Sequence, residues 1–253
     1  MISVVMLCKN SSETLKKVLD ELKDFDEVIL LDTGSTDNSL DIAKSFKNVN
    51  VNVKVFSKKF SGFGNLRNEG AKLSKNDWIL ALDTDEVLSE NLKNEILNTP
   101  LDPDCIYGFY FHNFYNDKLI KCCGWHNEKH LRLYNKNKTS FSKNLVHEKI
   151  LEKNLNQKYL NGYVSHFSYR KIDDFLQKMS TYTSLFAEQN KNKKKSSLSK
   201  AILHGFFAFF KSYILKKGFL AKKEGFIISI YNANVAFYKY LKLYEIKKKN
   251  KCF

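Results

Sequence analysis

Four short apolar runs, Ser3–Leu7, Val28–Leu31, Val51–Phe56 and Trp78–Leu82, alternate with segments whose apolar residues recur at helical spacing. Leu15, Val18, Leu19 and Leu22 share one side of a helix over Glu13–Lys23. Leu40, Ile42, Ala43 and Phe46 do the same before the third run, and a helix over Asn65–Leu73 precedes the fourth. Strands and helices alternating in this way predict βαβ units, hence an α/β fold with a mostly parallel sheet and helices on both faces. Ligands of such sheets bind beyond the carboxyl ends of the strands. Asp32, Asp83 and Asp85 all follow a strand end, and that placement is the first functional signal.

Beyond a helix over Ser89–Leu97 the pattern changes. Ile106–Phe114 and His130–Tyr134 read as aromatic-rich strands, and from Ile172 onward the chain reads as helices over Ile172–Gln189, Leu198–Lys216 and Gly225–Lys247. The expected organisation is a catalytic domain over residues 1–170 and a basic, aromatic-rich helical region over 171–253. A hydrophobic fraction of 43% argues against disorder. No apolar run reaches the roughly 18 residues of a transmembrane helix, and the amino-terminal run is too short for a signal peptide. The five cysteines are odd in number and form no CxxC pair, which predicts free thiols in a reducing cytoplasm.

The charge of +15 is concentrated at one end. From Lys191 onward there are 16 lysines, no arginine and only two acids, Glu224 and Glu245. An anionic partner follows, either a membrane surface or a nucleic acid. Lysine without arginine is a poor match to base readout, so no nucleic acid is expected. Aromatic stretches such as Phe206–Phe210 beside lysines favour helices lying on an anionic membrane, as a peripheral attachment. The plainer alternatives are solvated lysines and aromatics packed on the catalytic core.

Asp83-Thr84-Asp85 carries the chemistry. Two carboxylates spaced i, i+2 past a buried strand can meet one ligand where the chain turns. Their natural partner is a hard divalent cation, Mg2+ or Mn2+, that holds a diphosphate and neutralises charge on it as it leaves. The alternative is Asp85 or Glu86 as a surface turn or cap. Asp37 reads as the N-cap of the second helix, and Asp173-Asp174 as the start of a later one.

Val28 to Asp37 and Leu80 to Glu86 together resemble the family 2 glycosyltransferases, which implies a GT-A nucleotide-diphospho-sugar transferase fold. Gly124-Trp125, Lys129 to Tyr134, Val146-His147-Glu148 and His166 to Arg170 narrow the resemblance. They are similar to bacterial enzymes that add β-1,4-linked glucose to inner-core heptose of lipopolysaccharide or lipooligosaccharide. The resemblance implies a UDP-sugar donor, UDP-glucose, and an enzyme at the inner face of the cytoplasmic membrane. It places Asp32 opposite the uracil ring, Asp83 near ribose and diphosphate, and Asp85 on the metal. Arg67 becomes a nucleotide contact, although Leu66 stands where the family usually has Gln. Cys122-Cys123 replaces a glycine that commonly precedes Gly-Trp.

Glu148 is the candidate general base, since inversion needs a carboxylate on the acceptor side; pairing with a lysine on its own strand is the alternative. His166 is a candidate metal ligand or a structural histidine. His147 and Trp125 are weaker acceptor-side candidates, Trp125 through its apolar face. A polyprenyl phosphate or another glycan is the alternative acceptor. A non-catalytic basic membrane- or nucleic-acid-binding protein is the alternative of another class, and it leaves Asp32, Asp83 and Asp85 unexplained.

Overall fold

A computed structural model describes residues 1–46, 52–145, 148–152 and 154–249. The chain divides into two compact units, one of Met1–Phe111 with Lys129–His166, the other of His112–Glu128 with Phe167–Phe253.

The first unit is built on strands β1 (Ile2–Cys8), β2 (Glu27–Asp32), β3 (Val53–Ser57) and β4 (Trp78–Asp83). Val51, expected at the start of β3, lies outside the described residues. β1 is paired in parallel with β2 on one side and β4 on the other, and β2 is paired in parallel with β3. Val4 and Met6 pack on one face of β1 and Val5 on the other, all fully buried. Burial on both faces is why these strands are continuous apolar runs rather than alternating ones.

Register then positions the acids. Asp32 lies opposite Cys8 and Asp83 opposite Leu7, so both reach the carboxyl edge on either side of β1.

Helices α1 (Leu15–Glu21), α2 (Ser39–Ser45), α3 (Phe63–Leu73) and α4 (Glu90–Asn98) connect or flank the strands. The N-cap position of α2 is Asn38 rather than Asp37. Asp37 still serves the helix start, because its carboxylate accepts the Ser39 amide at 3.1 Å and the Ser12 amide at 3.0 Å. Burial works against that carboxylate, yet these bonds and the Ser39 hydroxyl hold it below the usual range.

α3 lies very close to its neighbours. A Cβ at Gly70 would come within 2.4 Å of Val5, and one at Gly64 within 1.8 Å of the Ser142 carbonyl oxygen. Only glycine lets this helix approach β1 and the segment leading to Glu148 so closely.

The sheet then becomes mixed. Its order is β3-β2-β1-β4-β8-β6-β9-β5, with β5 (Glu86–Leu88), β6 (Cys105–Tyr115), β8 (His126–Asn135) and β9 (Asn156–Tyr169). β4 pairs antiparallel with β8, and β5 antiparallel with β9. β5 and β9 were not expected from the sequence.

The second unit holds a short strand, β7 (Lys118–Leu119), paired with the end of β6. Its helices are α5 (Ile172–Asn190), α6 (Leu198–Phe210) and α7 (Lys222–Lys249). The helix expected over Leu198–Lys216 is present, with α6 continued by a π turn over Lys211–Leu215, and a 3-10 turn over Gly218–Ala221 follows. Among the described residues no helix is long and apolar enough to cross a membrane. Cys8, Cys105, Cys122 and Cys123 are free thiols, all buried.

Candidate active site

β4 ends at Asp83, and the chain turns through Thr84 and Asp85 before re-entering the sheet at Glu86. Two bonds fix that turn: the Asp83 amide donates to Glu86 Oε2 at 2.9 Å, and Thr84 Oγ1 donates to Ser11 Oγ at 2.7 Å.

Two arginines hold the acids beside it. Arg67, from α3, is 2% exposed; its Nη2 donates to Asp83 Oδ1 at 2.7 Å and its Nε to Glu148 Oε1 at 3.3 Å. Its guanidinium stacks over Phe141, 5.3 Å from the ring centre. Arg132, from β8, donates to Glu86 Oε1 at 2.8 Å, lies 3.7 Å from Asp83 Oδ2, and covers the Phe111 ring. A planar, multi-donor guanidinium suits this bridging between carboxylates.

Opposite charges decide the ionisation of Arg67 and Asp83, and burial decides that of Glu86. Burial penalises the Arg67 cation, but Asp83 and Glu148 outweigh it and raise its affinity for the proton. Burial likewise pushes the Asp83 carboxyl up, and Arg67 and Arg132 overcome that, holding it below the usual carboxylate range. Glu86 is fully buried, and burial keeps its carboxyl above the ordinary value despite Arg132.

Asp85 faces His166, with Oδ1 and Nε2 3.5 Å apart and side chains 22% and 24% exposed. Sheet register brings them together, because His166 on β9 pairs with Glu86 on β5. Phe111 packs edge-on against the imidazole.

Among the described residues no group of three or more His, Cys, Asp or Glu side chains is arranged to hold a metal. Asp85 and His166 nonetheless form a fitting donor pair for a cation that takes its other ligands from a substrate. Mg2+ and Mn2+ favour such sites, and ligand bonds of about 2.1 Å let one ion touch both atoms.

An α/β sheet with acids collected at its carboxyl edge matches a known family over most of this region. The profile described as "Glycosyl transferase family 2" matches residues 3–160, more than half of the chain. The chain belongs to glycosyl transferase family 2.

It is a glycosyltransferase with the α/β GT-A fold and a C-terminal helical region. An uncharacterized glycosyltransferase of Rickettsia typhi is 28% identical, with 99% of this chain and 89% of the relative covered. A cholesterol galactosyltransferase of Borreliella burgdorferi is 31% identical over 38% of this chain and 28% of its own length. Among solved structures, S. aureus TarS (residues 1–349) covers 99% of this chain and 91% of its own at a TM-score of 0.48 and 16% identity. Likeness at that level does not reach donor or acceptor.

The structure of this glycosyltransferase brings Arg67, Asp83, Asp85, Glu148 and His166 into one unit and links them in two contacting groups. The partner of Glu148 is Arg67 from α3, not a lysine of its own strand. Asp32 is 3% exposed, and its carboxylate accepts the amides of Gly34 at 3.0 Å and Ser35 at 3.2 Å, so it organises the loop after β2. Trp125 falls in the other unit, stacked at 5.1 Å on Tyr169 and packed with Phe175. His147 lies outside the described residues.

Arg132 and Glu86 were missed as site residues. An arginine between Leu131 and Leu133 in a strand was the available signal, because buried arginine is rarely tolerated without an acid.

Proposed function

We propose that this glycosyltransferase moves glucose from UDP-glucose, with inversion, to a heptose hydroxyl of the lipopolysaccharide or lipooligosaccharide inner core, working at the cytoplasmic face of the membrane. The observation that carries the reaction type is the gathering of Asp83 and Glu148 around one buried guanidinium, with Asp85 on the turn beside them. The choice of glucose and heptose rests on the resemblance of the blocks around Trp125, Arg132, Glu148 and His166.

In this reading Asp32 and the loop it holds bound the uracil side of the nucleotide, and Asp83 faces ribose and diphosphate. Asp85 and His166 would hold a divalent cation, which supplies positive charge to the departing diphosphate. Glu148 takes the proton of the acceptor hydroxyl as its oxygen bonds to the anomeric carbon, and the carbon–oxygen bond to UDP breaks. Arg67 keeps Glu148 and Asp83 in fixed relation, so base and leaving-group side are set by one residue.

A lipid-borne acceptor such as a polyprenyl phosphate is the second reading, favoured by the exposed apolar side chains of α6. UDP release measured with Mn2+, UDP-glucose or UDP-galactose, and heptose-bearing core or polyprenyl phosphate separates the readings. Glucose and heptose together are expected to give the fastest release, by at least ten-fold. Faster release with the lipid phosphate contradicts the heptose assignment.

A further inference from the structure

Within the second unit, α6 and the turns after it present an apolar surface that the unit leaves uncovered. Leu203, Phe206, Phe207, Leu215 and Leu220 are each 58–72% exposed. Leu203, Phe207 and Lys211 are spaced i, i+4, i+8 and share one helix face. Isolated exposed apolar residues are ordinary, but five on one helix and the turns directly after it mark a surface meant to be covered.

A cavity of about 350 Å³ opens in the same region, lined by Lys211, Ser212, Lys216, Asn232 and the backbone turn at Cys123-Gly124. The Cys123 amide donates to the Lys216 carbonyl oxygen at 2.9 Å, fastening that turn to the end of the π turn. Inside, Ser212 Oγ accepts from Ser229 Oγ and from Asn232 Nδ2, both at 3.0 Å. The cavity therefore combines a fixed polar wall with two lysines.

The charge around it decides what covers the face. Lys211, Lys216 and Lys217 lie on or beside these turns and Lys222 and Lys223 begin α7, while Glu224 is the only acid between Lys191 and Tyr244 in the sequence. Glu224 is already paired with Lys118 at 3.1 Å. A second copy would set this cationic surface against its like, whereas an anionic bilayer attracts every lysine near its surface.

We propose that α6 and the two turns after it form a membrane-insertion face, and that the Lys211–Lys216 cavity takes the phosphate of an anionic lipid headgroup. Leu203, Phe206, Phe207, Leu215 and Leu220 enter the acyl boundary, and the lysines lie at headgroup level. This deepens the membrane part of the function proposed above by naming the docking element and its ligand.

The test is co-sedimentation of the full chain with phosphatidylcholine vesicles, with and without phosphatidylglycerol, at physiological salt. The wild type is expected to bind the anionic vesicles at least ten-fold more tightly. Phe206→Asp with Phe207→Asp, and separately Lys211→Glu with Lys216→Glu, are each expected to lower that binding at least ten-fold. Both double variants are expected to keep wild-type UDP affinity, which shows that they fold.

Equal binding to both vesicle types overturns the proposal, as does anionic binding unchanged in either double variant. A micromolar wild-type dimer that Phe206→Asp with Phe207→Asp dissociates also overturns it, since a second copy then covers the face. A wild type that fails to bind UDP but still binds anionic vesicles contradicts the transferase reading and leaves the docking surface standing.

Discussion

Glu148→Gln is expected to lower kcat by about 10²–10⁴-fold, the usual contribution of a positioned general base. The amide has nearly the same shape, and its oxygen can still accept from Arg67 Nε, which lies 3.3 Å from the carboxylate in the wild type. The site should therefore keep its geometry and lose only the ability to take a proton. UDP affinity is expected to stay within about two-fold, because the residue acts on the acceptor side. Single-turnover rates with saturating donor, beside a UDP titration, separate the two effects. A kcat within ten-fold of wild type would show that another group receives the proton.

Arg67→Met is expected to damage the fold as well as the activity. The side chain is 2% exposed and neutralises Asp83 and Glu148 together. Methionine can fill the space over Phe141, so the loss is electrostatic: Glu148 is left without its cation and Asp83 keeps only the more distant Arg132. Removing one partner of a buried ion pair costs about 3–5 kcal/mol, a fall in Tm on the order of 10 °C for a chain of this size. Arg67→Lys is expected to recover only part of it, because a single ammonium cannot reproduce the two-pronged bridge. Thermal unfolding of the three proteins decides this, and a Tm for Arg67→Met within 2–3 °C of wild type, less than about 1 kcal/mol, would mean that the bridge adds nothing.

The parallel half of the sheet was legible because strands buried on both faces leave an uninterrupted apolar signature, as in Val28–Leu31 and Trp78–Leu82. Register of adjacent parallel strands then fixed Asp32 and Asp83 at one edge with no further information. β9 was harder. Its buried positions Leu160, Gly162, Val164 and Ser168 all fall on one side of the alternation, but polar residues flank them and a glycine sits among them. That glycine is there because a Cβ would come within 2.5 Å of the Leu92 backbone at the start of α4, a contact invisible along the chain. Without β9 there was no way to see that His166 would be brought beside Asp85 through the Glu86 pairing. His166 entered through a family resemblance instead.

Glu86 shows the opposite problem. Beside Asp83 and Asp85 it reads as another turn acid, yet its carboxylate is fully buried and bound by Arg132 from a strand 46 residues away. Long-range ion pairs of this kind leave a trace only in the odd residue out, here an arginine between two leucines. The change of winding at the end of α6 is similar: Ser212 is buried against Ser229 and Asn232 of α7 in a π turn, where the helical repeat predicted only a continuous helix.

The most direct test is a calorimetric titration of UDP into the wild type and into Asp85→Ala, each with and without Mn2+. Wild-type binding is expected to tighten at least ten-fold with the metal, and Asp85→Ala is expected to show no metal effect while still folding. Metal-independent UDP binding in the wild type, or an equal response in Asp85→Ala, would contradict a site in which Asp85 and its neighbours hold a cation against the diphosphate.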